Sequence, residues 1–427
     1  MDKTDIPGTF SSRGGSAFGG NATSGVTLGP VNETNMARIW NKHKQSNAPL
    51  KPHTSSLRGR RKVFVALSGG VDSAVAAYLL KKQGYEVKGV FMKNFTGTHE
   101  NLAGECDWQR ERDDAAAVAR RLKIPFEVWD FERQYHRYVV DYFFREYERG
   151  RTPNPDIRCN QYVKIPLFLK RALAEGADFI ATGHYARRSE SRITNHESRF
   201  QLLNGQDDSK DQSYFLYTLT QKQLKYLLFP VGEMAKVEVR KLAKRLKLPV
   251  AEKPDSQGIC FIGEVKIVDF LKTRLVERPG VIVDTCGRVL GQHRGLSFYT
   301  IGQREGLGLA NGPWYTIGRN RRANQLIIGK KTEQKFIMSS RCLTGKPHWI
   351  GEQPKLPAVL QVRHRYRHPV FTARVDRHST GLRITFNQPQ RAITPGQSAV
   401  IYVKTRSGLV VMGGAVIDKV EKTTFAW

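Results

Sequence analysis

Acidic residues are scarce in this 427-residue chain: 39 Asp and Glu stand against 69 Lys and Arg, a formal net charge of +30. Cysteine is scarcer, five in all and none in a CxxC pair, which argues against a disulfide-stapled scaffold, a Cys-rich zinc module and a CxxC redox site. No apolar run reaches the roughly 18 residues of a membrane-spanning helix, so no membrane partner is expected. Against these absences stand 40% hydrophobic and 10% aromatic residues, enough for packed cores rather than a disordered polyelectrolyte. At roughly 100–200 residues per domain, the length predicts about two to four domains.

The positive excess is uneven. Residues His293 to Trp427 carry a net +16 and residues Met1 to Lys62 a net +7. A one-signed field at the C-terminal end favours a polyanionic partner, nucleic acid ahead of an acidic membrane. Residues 1–60 are rich in Gly, Ser, Thr and Asn, with apolar residues too scattered to define a core face, and end in Arg58-Gly59-Arg60-Arg61-Lys62. They read as a disordered extension. Ser and Arg with little acid suit an organelle transit peptide, although Asp2 and Asp5 fit it poorly; Met36 to Trp40 hints at an amphipathic helix.

From Lys62 the pattern changes. Val63 to Leu67 is a short apolar run of the kind buried parallel strands use. Val71, Ala74, Val75, Tyr78 and Leu79 then recur at helical spacing. Val87–Met92, Phe126–Trp129 and Phe179–Thr182 read as further strands, separated by helices marked by Ala115, Val118, Ala119 and Leu122 and by Tyr135, Tyr138, Val139, Tyr142 and Phe143. This alternation predicts right-handed βαβ units and a Rossmann-like parallel sheet over 61–232, with ligands at the carboxyl ends of the strands. Val237 to Leu246 reads as a helix of a small central domain over 233–296. Residues 297–427 switch to period two: Leu360, Val362, His364 and Tyr366 alternate with Gln361, Arg363, Arg365 and Arg367, a strand with one basic face. Further short strands at Phe371–Val375, Leu382–Phe386, Ala399–Val403 and Leu409–Met412 predict a small antiparallel β-barrel or sandwich.

Ser68-Gly69-Gly70-Val71-Asp72-Ser73 joins the first strand to the first helix. Free backbone N–H groups and the positive end of a helix dipole make that junction a phosphate site, and the glycines allow close approach. It lacks the lysine of the GxxxxGK[ST] loop. Asp72 would repel phosphate unless it caps the helix or holds Mg²⁺. Two further clusters frame cysteines. In Gly150-Arg151-Thr152-Pro153-Asn154-Pro155-Asp156-Ile157-Arg158-Cys159, two prolines predict a stiff loop presenting Asn154, Asp156 and Cys159. In Asp255-Ser256-Gln257-Gly258-Ile259-Cys260-Phe261, Gly258 gives freedom before Cys260. Each thiol is either a small buried hydrophobe or a reactive group. Cys106, Cys286 and Cys342 lack such frames and are expected to be structural.

The first string resembles the signature of the PP-loop ATP pyrophosphatases, and the three clusters in this order resemble the tRNA-specific 2-thiouridylases, the MnmA family and its mitochondrial relatives. The resemblance runs from about Lys62 to near the C-terminus. It includes Phe91-Met92-Lys93-Asn94, Gly183-His184-Tyr185, Ser209-Lys210-Asp211-Gln212 and Tyr299-Thr300-Ile301-Gly302-Gln303-Arg304.

It implies a sulfurtransferase that uses ATP and Mg²⁺ to adenylate the C2 oxygen of the wobble uridine in a tRNA anticodon stem-loop, then transfers sulfur from a cysteine persulfide. It also implies a persulfide donor protein. By similarity, Ala66, Leu67, Ser68, Gly69, Gly70, Val71, Asp72, Ser73, Met92 and Gly183 bind ATP, with Asp72 the candidate for Mg²⁺. Asn154, Pro155 and Asp156 meet the target base, and Asp156 is a candidate acid/base. Cys159 is the nucleophile, Cys260 the persulfide carrier, and a disulfide between them the by-product. His184, Lys210, Asp211, Gln212, Arg365, Tyr366 and Gln397 contact tRNA. Gln257 stands where bacterial members carry Thr. The N-terminal extension, absent from bacterial members, implies a mitochondrial location, with the cytoplasm as the alternative. Three other readings remain: a PP-loop amide or argininosuccinate-type ligase that needs neither cysteine, a non-catalytic RNA-binding scaffold, and an iron–sulfur enzyme using scattered cysteines.

Overall fold

A computed structural model describes residues 60–96, 108–192, 198–255 and 267–421. The N-terminal stretch, with its expected disorder and transit role, lies outside the described residues, as do Cys106 and Cys260.

The predicted parallel sheet is present. Strand β1 (Lys62–Ala66) leads through the phosphate loop to helix α1 (Val71–Lys82), then β2 (Glu86–Lys93), α2 (Trp108–Leu122) and β3 (Phe126–Asp130). Three helical pieces follow: α3 (Glu132–Tyr135), a π-helical turn (His136–Val140) and α4 (Asp141–Glu148). Next come α5 (Pro155–Cys159), a second π-helical turn (Asn160–Lys164), α6 (Pro166–Ala174) and β4 (Phe179–Ala181). After β5 (Ala186–Arg192), β6 (Ser198–Asn204) and α7 (Gln221–Tyr226), the two-residue β7 (Leu227–Leu228) completes a sheet ordered β3-β2-β1-β4-β7, every neighbour parallel. Both faces are covered, as such a sheet requires. Val63 and Val65 point into one core with Ala74, Ala77 and Leu80 of α1, while Phe64 points into the other with Val90, Trp129 and Phe168. Each fully buried aliphatic side chain of β1 contributes about 1.5–3 kcal/mol.

The aromatic helix departs from its predicted spacing. Tyr135, Val139 and Phe143 are buried as predicted, but Val140, Phe144 and Tyr147 join them, while Tyr138 and Tyr142 are only half-buried. The π-helical turn supplies the reason: its wider turn slips the buried stripe by one residue.

Helix α8 (Lys236–Arg245) covers the predicted Val237–Leu246 segment and packs against α1. After α9 (Ile267–Lys272), strands β8 (Gly280–Val283), β9 (Val289–His293), β10 (Tyr315–Asn320) and β11 (Gln325–Gly329) form a mixed four-stranded sheet that sequence periodicity missed. The C-terminal strands are β12 (Met338–Thr344), β13 (His348–Trp349), β14 (Ala358–Arg363), β15 (Phe371–His378), β16 (Gly381–Arg391), β17 (Ser398–Thr405) and β18 (Gly408–Glu421). Six of them run antiparallel in the order β12-β16-β15-β14-β17-β18, and β12 pairs back onto β18 to close a barrel. The β5–β6 hairpin extends this sheet rather than the parallel one, Leu202 and Leu203 pairing with Val411 and Val410. Among the described residues no helix is long and apolar enough to cross a membrane.

Candidate functional site

The phosphate loop sits where β1 ends. Ser73 Oγ accepts from the Ser68 N–H at 3.2 Å and donates to the Gly70 carbonyl at 3.0 Å, drawing the loop into a ring. Gly69 has a φ of +75°, and a Cβ there would lie 2.4 Å from the Glu111 carbonyl of α2. Glycine is therefore required both by conformation and by space. Gly70 is the N-cap of α1 and brings no side chain to occupy the first N–H groups. Met92 at the carboxyl end of β2 is buried, and Gly183 follows β4. A Cβ on Gly183 would stand 2.7 Å from the Ser73 nitrogen, so the β4 tip lies directly on the start of α1. The strings Ser68–Ser73, Met92 and Gly183 thus meet across three adjacent strands, where the order turns from β2 to β4, the switch point at which such sheets bind ligands.

Asp72 has two side-chain partners. Its Oδ1 accepts from the Tyr185 hydroxyl at 2.7 Å, and the Lys236 ammonium bridges Oδ1 and Oδ2 at 2.7 and 2.8 Å. No cluster of His, Cys, Asp or Glu able to hold a metal exists among the described residues. The Asp72 oxygens expected to hold Mg²⁺ serve an ion pair with Lys236 in this structure. Lys236 also reaches Asp255 at 2.8 Å, as do Lys210 (2.8 Å) and Arg240 (2.6 Å). Partial burial opposes ionisation of Asp255, but these cations hold its carboxyl well below the usual range.

The loop before Cys159 is fixed from the C-terminal half. Thr152 N–H donates to the Pro395 carbonyl at 2.9 Å, and Thr152 and Thr300 hydroxyls lie 3.0 Å apart. Arg319 donates to the Gly150 carbonyl at 2.9 Å and the Tyr299 carbonyl at 3.2 Å. Arg151 joins Glu146 at 2.7 Å to Asp418 at 3.0 Å. The loop then opens α5: Asn154 is its N-cap, Oδ1 accepting from the Ile157 N–H at 3.1 Å, with Pro155 in the first turn. Two prolines were expected to exclude helix. Pro155 starts one instead, because proline at the first helical position forfeits only an N–H with no intrahelical partner.

Asp156 is half-buried in that first turn and Cys159, its last residue, is fully buried. Beside Cys159, the Arg158 guanidinium lies 4.2 Å from the ring centres of both Tyr142 and Tyr162. Lys164, at the end of the π-helical turn, adds to burial in holding His184 well below its ordinary pKa. Asn160, the residue after Cys159, donates from its Nδ2 to the Phe215 carbonyl at 3.3 Å, which anchors the end of α5 in the core.

Several expected RNA contacts have internal partners. His184 is buried, with its pKa held well below the ordinary value by burial, and is hydrogen-bonded to the Thr182 hydroxyl at 2.8 Å. Asp211 is buried and accepts from the Gly205 and Ser213 N–H groups and from Arg363 at 2.8 Å. Gln212 accepts from the Tyr185 N–H, and Lys210 pairs with Asp255. Gln397 is buried, donating to the Thr152 and Pro153 carbonyls at 2.9 and 3.3 Å. The predicted basic strand face is corrected too: β14 ends at Arg363, whose charge is consumed by Asp211, and Arg365 and Tyr366 lie in the turn beyond. Tyr366 packs 4.2 Å from Phe215, while half-buried Arg365 has no ion-pair partner among the described residues.

Of the other cysteines, Cys342 is buried and burial pushes its thiol up to about 12, which fits a structural role; Cys286 is exposed and is no core residue. Sequence reasoning missed Lys236 and Arg319, and the link from Arg151 to Asp418, because these partners lie far along the chain; it also missed Arg240, which pairs with Asp255.

This geometry belongs to the nucleotide-binding α/β class, and comparison with known proteins narrows it. A family model described as tRNA methyl transferase HUP domain matches residues 61–264; tRNA methyl transferase PRC-barrel domain and Aminomethyltransferase beta-barrel domain models match 268–330 and 339–417. The tRNA-specific 2-thiouridylase MnmA of Methylobacillus flagellatus is 44% identical over 366 residues, covering 84% of this chain and 99% of the relative. Those of Lysinibacillus sphaericus (43%, 85% and 95%) and Pseudomonas paraeruginosa (42%, 86% and 96%) are similar at comparable coverage. The chain belongs to the tRNA-specific 2-thiouridylase MnmA family. The mitochondrial location expected from residues 1–60 is overturned by the same relatives, which are bacterial proteins and point to the cytoplasm.

Proposed function

We propose that this chain is an ATP-dependent tRNA uridine 2-sulfurtransferase acting on the wobble position. The observation that carries this reading is the phosphate loop packed against the Gly183 tip at the switch point of the parallel sheet, in a chain similar to tRNA-specific 2-thiouridylases. That arrangement suits a nucleotide that activates a base; Cys159, buried at the end of α5, is the thiol that finishes the exchange.

The N–H groups at the start of α1 and the Ser68 and Ser73 hydroxyls receive the ATP phosphates. The uridine C2 oxygen attacks the α-phosphorus and pyrophosphate leaves, converting an inexpellable oxygen into the leaving group AMP. Asp156, beside Asn154 and Pro155, is placed to hold or take the uracil N3 proton. Arg365 and Tyr366, in the turn after β14, grip the anticodon stem-loop with Lys210. Gln397, Asp211, Gln212 and His184 support the walls on which the RNA lies. Mg²⁺ is assigned no protein site and no step here.

Cys260 lies five residues past Asp255, so covalent reach keeps it within about 18 Å of that anchor. Its persulfide, loaded by a donor protein, adds its terminal sulfur to C2 and AMP departs. The Cys159 thiolate then attacks the Cys260 sulfur. The S–S bond to the transferred atom breaks, the electron pair stays on the thiouracil sulfur, and a Cys159–Cys260 disulfide remains for a dithiol to reduce. Because Cys159 is buried, RNA binding has to uncover it.

The test is ATP–pyrophosphate exchange and nucleoside mass spectrometry on the purified chain with tRNA and a persulfide donor. Exchange that depends on tRNA, with 2-thiouridine as product, is expected. Exchange without tRNA and with a carboxylate acceptor would favour the ligase reading.

A further inference from the structure

Asp72 poses a physical problem where it stands. It occupies the first turn of α1, the same turn whose N–H groups face the ATP phosphates in the function proposed above, and a carboxylate there repels a polyanion. The answer comes from α8. Lys236, its first residue, is only 10% exposed and places its ammonium 2.7 Å from Asp72 Oδ1, 2.8 Å from Oδ2 and 2.8 Å from Asp255 Oδ1. Its backbone N–H is held by Asp207 Oδ2 at 3.0 Å, and its ammonium lies 5.6 Å from the centre of the Tyr185 ring. Lys210 and Arg240 close on the far carboxylate, Asp255. Asp72, Asp207 and Asp255 thus meet three cations, so the charge of Asp72 is balanced within the cluster beside the phosphate loop.

We propose that Lys236 is a positioning residue for the nucleotide phosphates: it cancels the charge of Asp72 at the loop and, through Asp255, ties that loop to the chain leading toward Cys260. The inference rests on ATP binding at the Ser68–Ser73 loop. Lys236 acts through Asp72, not by touching the reacting atoms. Its ammonium is already shared between two carboxylates, so its influence on phosphate is electrostatic and reaches the site without moving.

Equilibrium binding of α,β-methylene-ATP to the full chain, with thermal melting as the control for folding, tests this. K236M leaves Asp72 uncompensated and is expected to weaken binding tenfold or more. D72N/K236M removes both charges and is expected to bind at least fivefold more tightly than K236M, while K236R recovers at least half of the lost affinity. A brace with no electrostatic role predicts the reverse order, the double variant no better than the single one. Unaltered binding by K236M, or a double variant as weak as K236M, overturns the inference. If K236M does not fold, K236R and the comparison of D72N/K236M with D72N decide instead: Lys236 should matter at least fivefold less once Asp72 is neutral. Wild-type chain that fails to bind the analogue removes the ATP reading itself. Wild-type binding with an indifferent K236M removes only this inference.

Discussion

The two ends of the molecule use their distinctive residues in opposite ways. At the parallel-sheet end the motif residues shape backbone: Gly69, Gly70 and Gly183 bring chain against chain, and Ser73 draws its own loop closed. At the barrel end the distinctive residues are cations, and many turn inward. Arg363 is consumed by Asp211 and Arg391 is held by Gln334, while Arg319 of the neighbouring four-stranded sheet is held by the carbonyls of Gly150 and Tyr299. A short glycine–serine string therefore reveals its purpose in sequence, because its conformation is local. A basic residue does not, because its partner is set by the fold.

The contrast is sharpest for thiols. Cys159 and Cys342 are both buried, but one ends helix α5, shortly after Asn154 and Asp156, and the other sits in β12 with its thiol pushed up to about 12. Cys159→Ala is expected to lower 2-thiouridine formation about a thousandfold or more. Cys342→Ala should leave turnover intact and remove about 1 kcal/mol of stability through the small cavity. Nucleoside mass spectrometry beside thermal melting separates them, and comparable activity losses in both would end the assignment of Cys159.

Glycines allow a second test. At Gly183 a Cβ would press on the Ser73 nitrogen at 2.7 Å; at Gly396, with φ +95°, it would press on the Thr152 carbonyl at 2.7 Å. Gly183→Ala should weaken ATP-analogue binding about a hundredfold. Gly396→Ala should spare that binding and slow turnover about tenfold to a hundredfold, because it displaces the loop ahead of Asp156. Equal damage to nucleotide binding by both would dissolve the division of labour between the two ends.

That division also explains what the chain's own pattern could announce. The strands from Val63 to Ala181, helix α1 and the closed barrel follow from apolar periodicity, which is a local property. The slip at Val140 and Phe144 does not, because a π-helical turn obeys a spacing no standard template contains. Nor does the β5–β6 hairpin: Arg187-Arg188-Ser189-Glu190 is polar, and only its partner β18 makes it part of the barrel sheet. The site was legible in the same measure. Ser68–Ser73 and Asn154–Cys159 stand out in sequence, whereas Lys236 lies 164 residues from Asp72 and nothing near it signals the pair.

Each end also buries a histidine, and pH reads the two against each other. Burial holds His184 well below its ordinary pKa, and burial with nearby His368 and Arg365 brings His364 down to about 3. Both stay neutral in the folded chain, while an unfolded histidine takes up a proton near pH 6.5. The unfolded state therefore binds more protons below that pH, and stability falls as pH falls. Between pH 7 and pH 5 His364 accounts for about 2 kcal/mol of lost stability, and His184 contributes in the same direction. His364→Phe should shrink the loss by that amount, and His184→Asn should also reduce it, in denaturant titrations at the two pH values. A variant with an undiminished loss would show that its histidine is solvated in solution.

An inward arginine differs from an outward one only two positions away. Arg363 and Arg365 flank His364, and charge counting treats them alike. Arg363→Ala strands Asp211 in the interior and should cost about 3–5 kcal/mol of stability, with little effect on the salt dependence of RNA binding. Arg365 leaves no such partner behind, so Arg365→Ala should melt like the wild type. It should weaken tRNA binding about threefold to tenfold and lower the slope of log affinity against log salt by about one, as expected when one phosphate contact is lost. Filter binding across a salt series reads that slope directly. If Arg365→Ala leaves both affinity and slope unchanged, the turn after β14 is not where the polyanion sits. The charge excess of the barrel would then serve long-range attraction rather than contact.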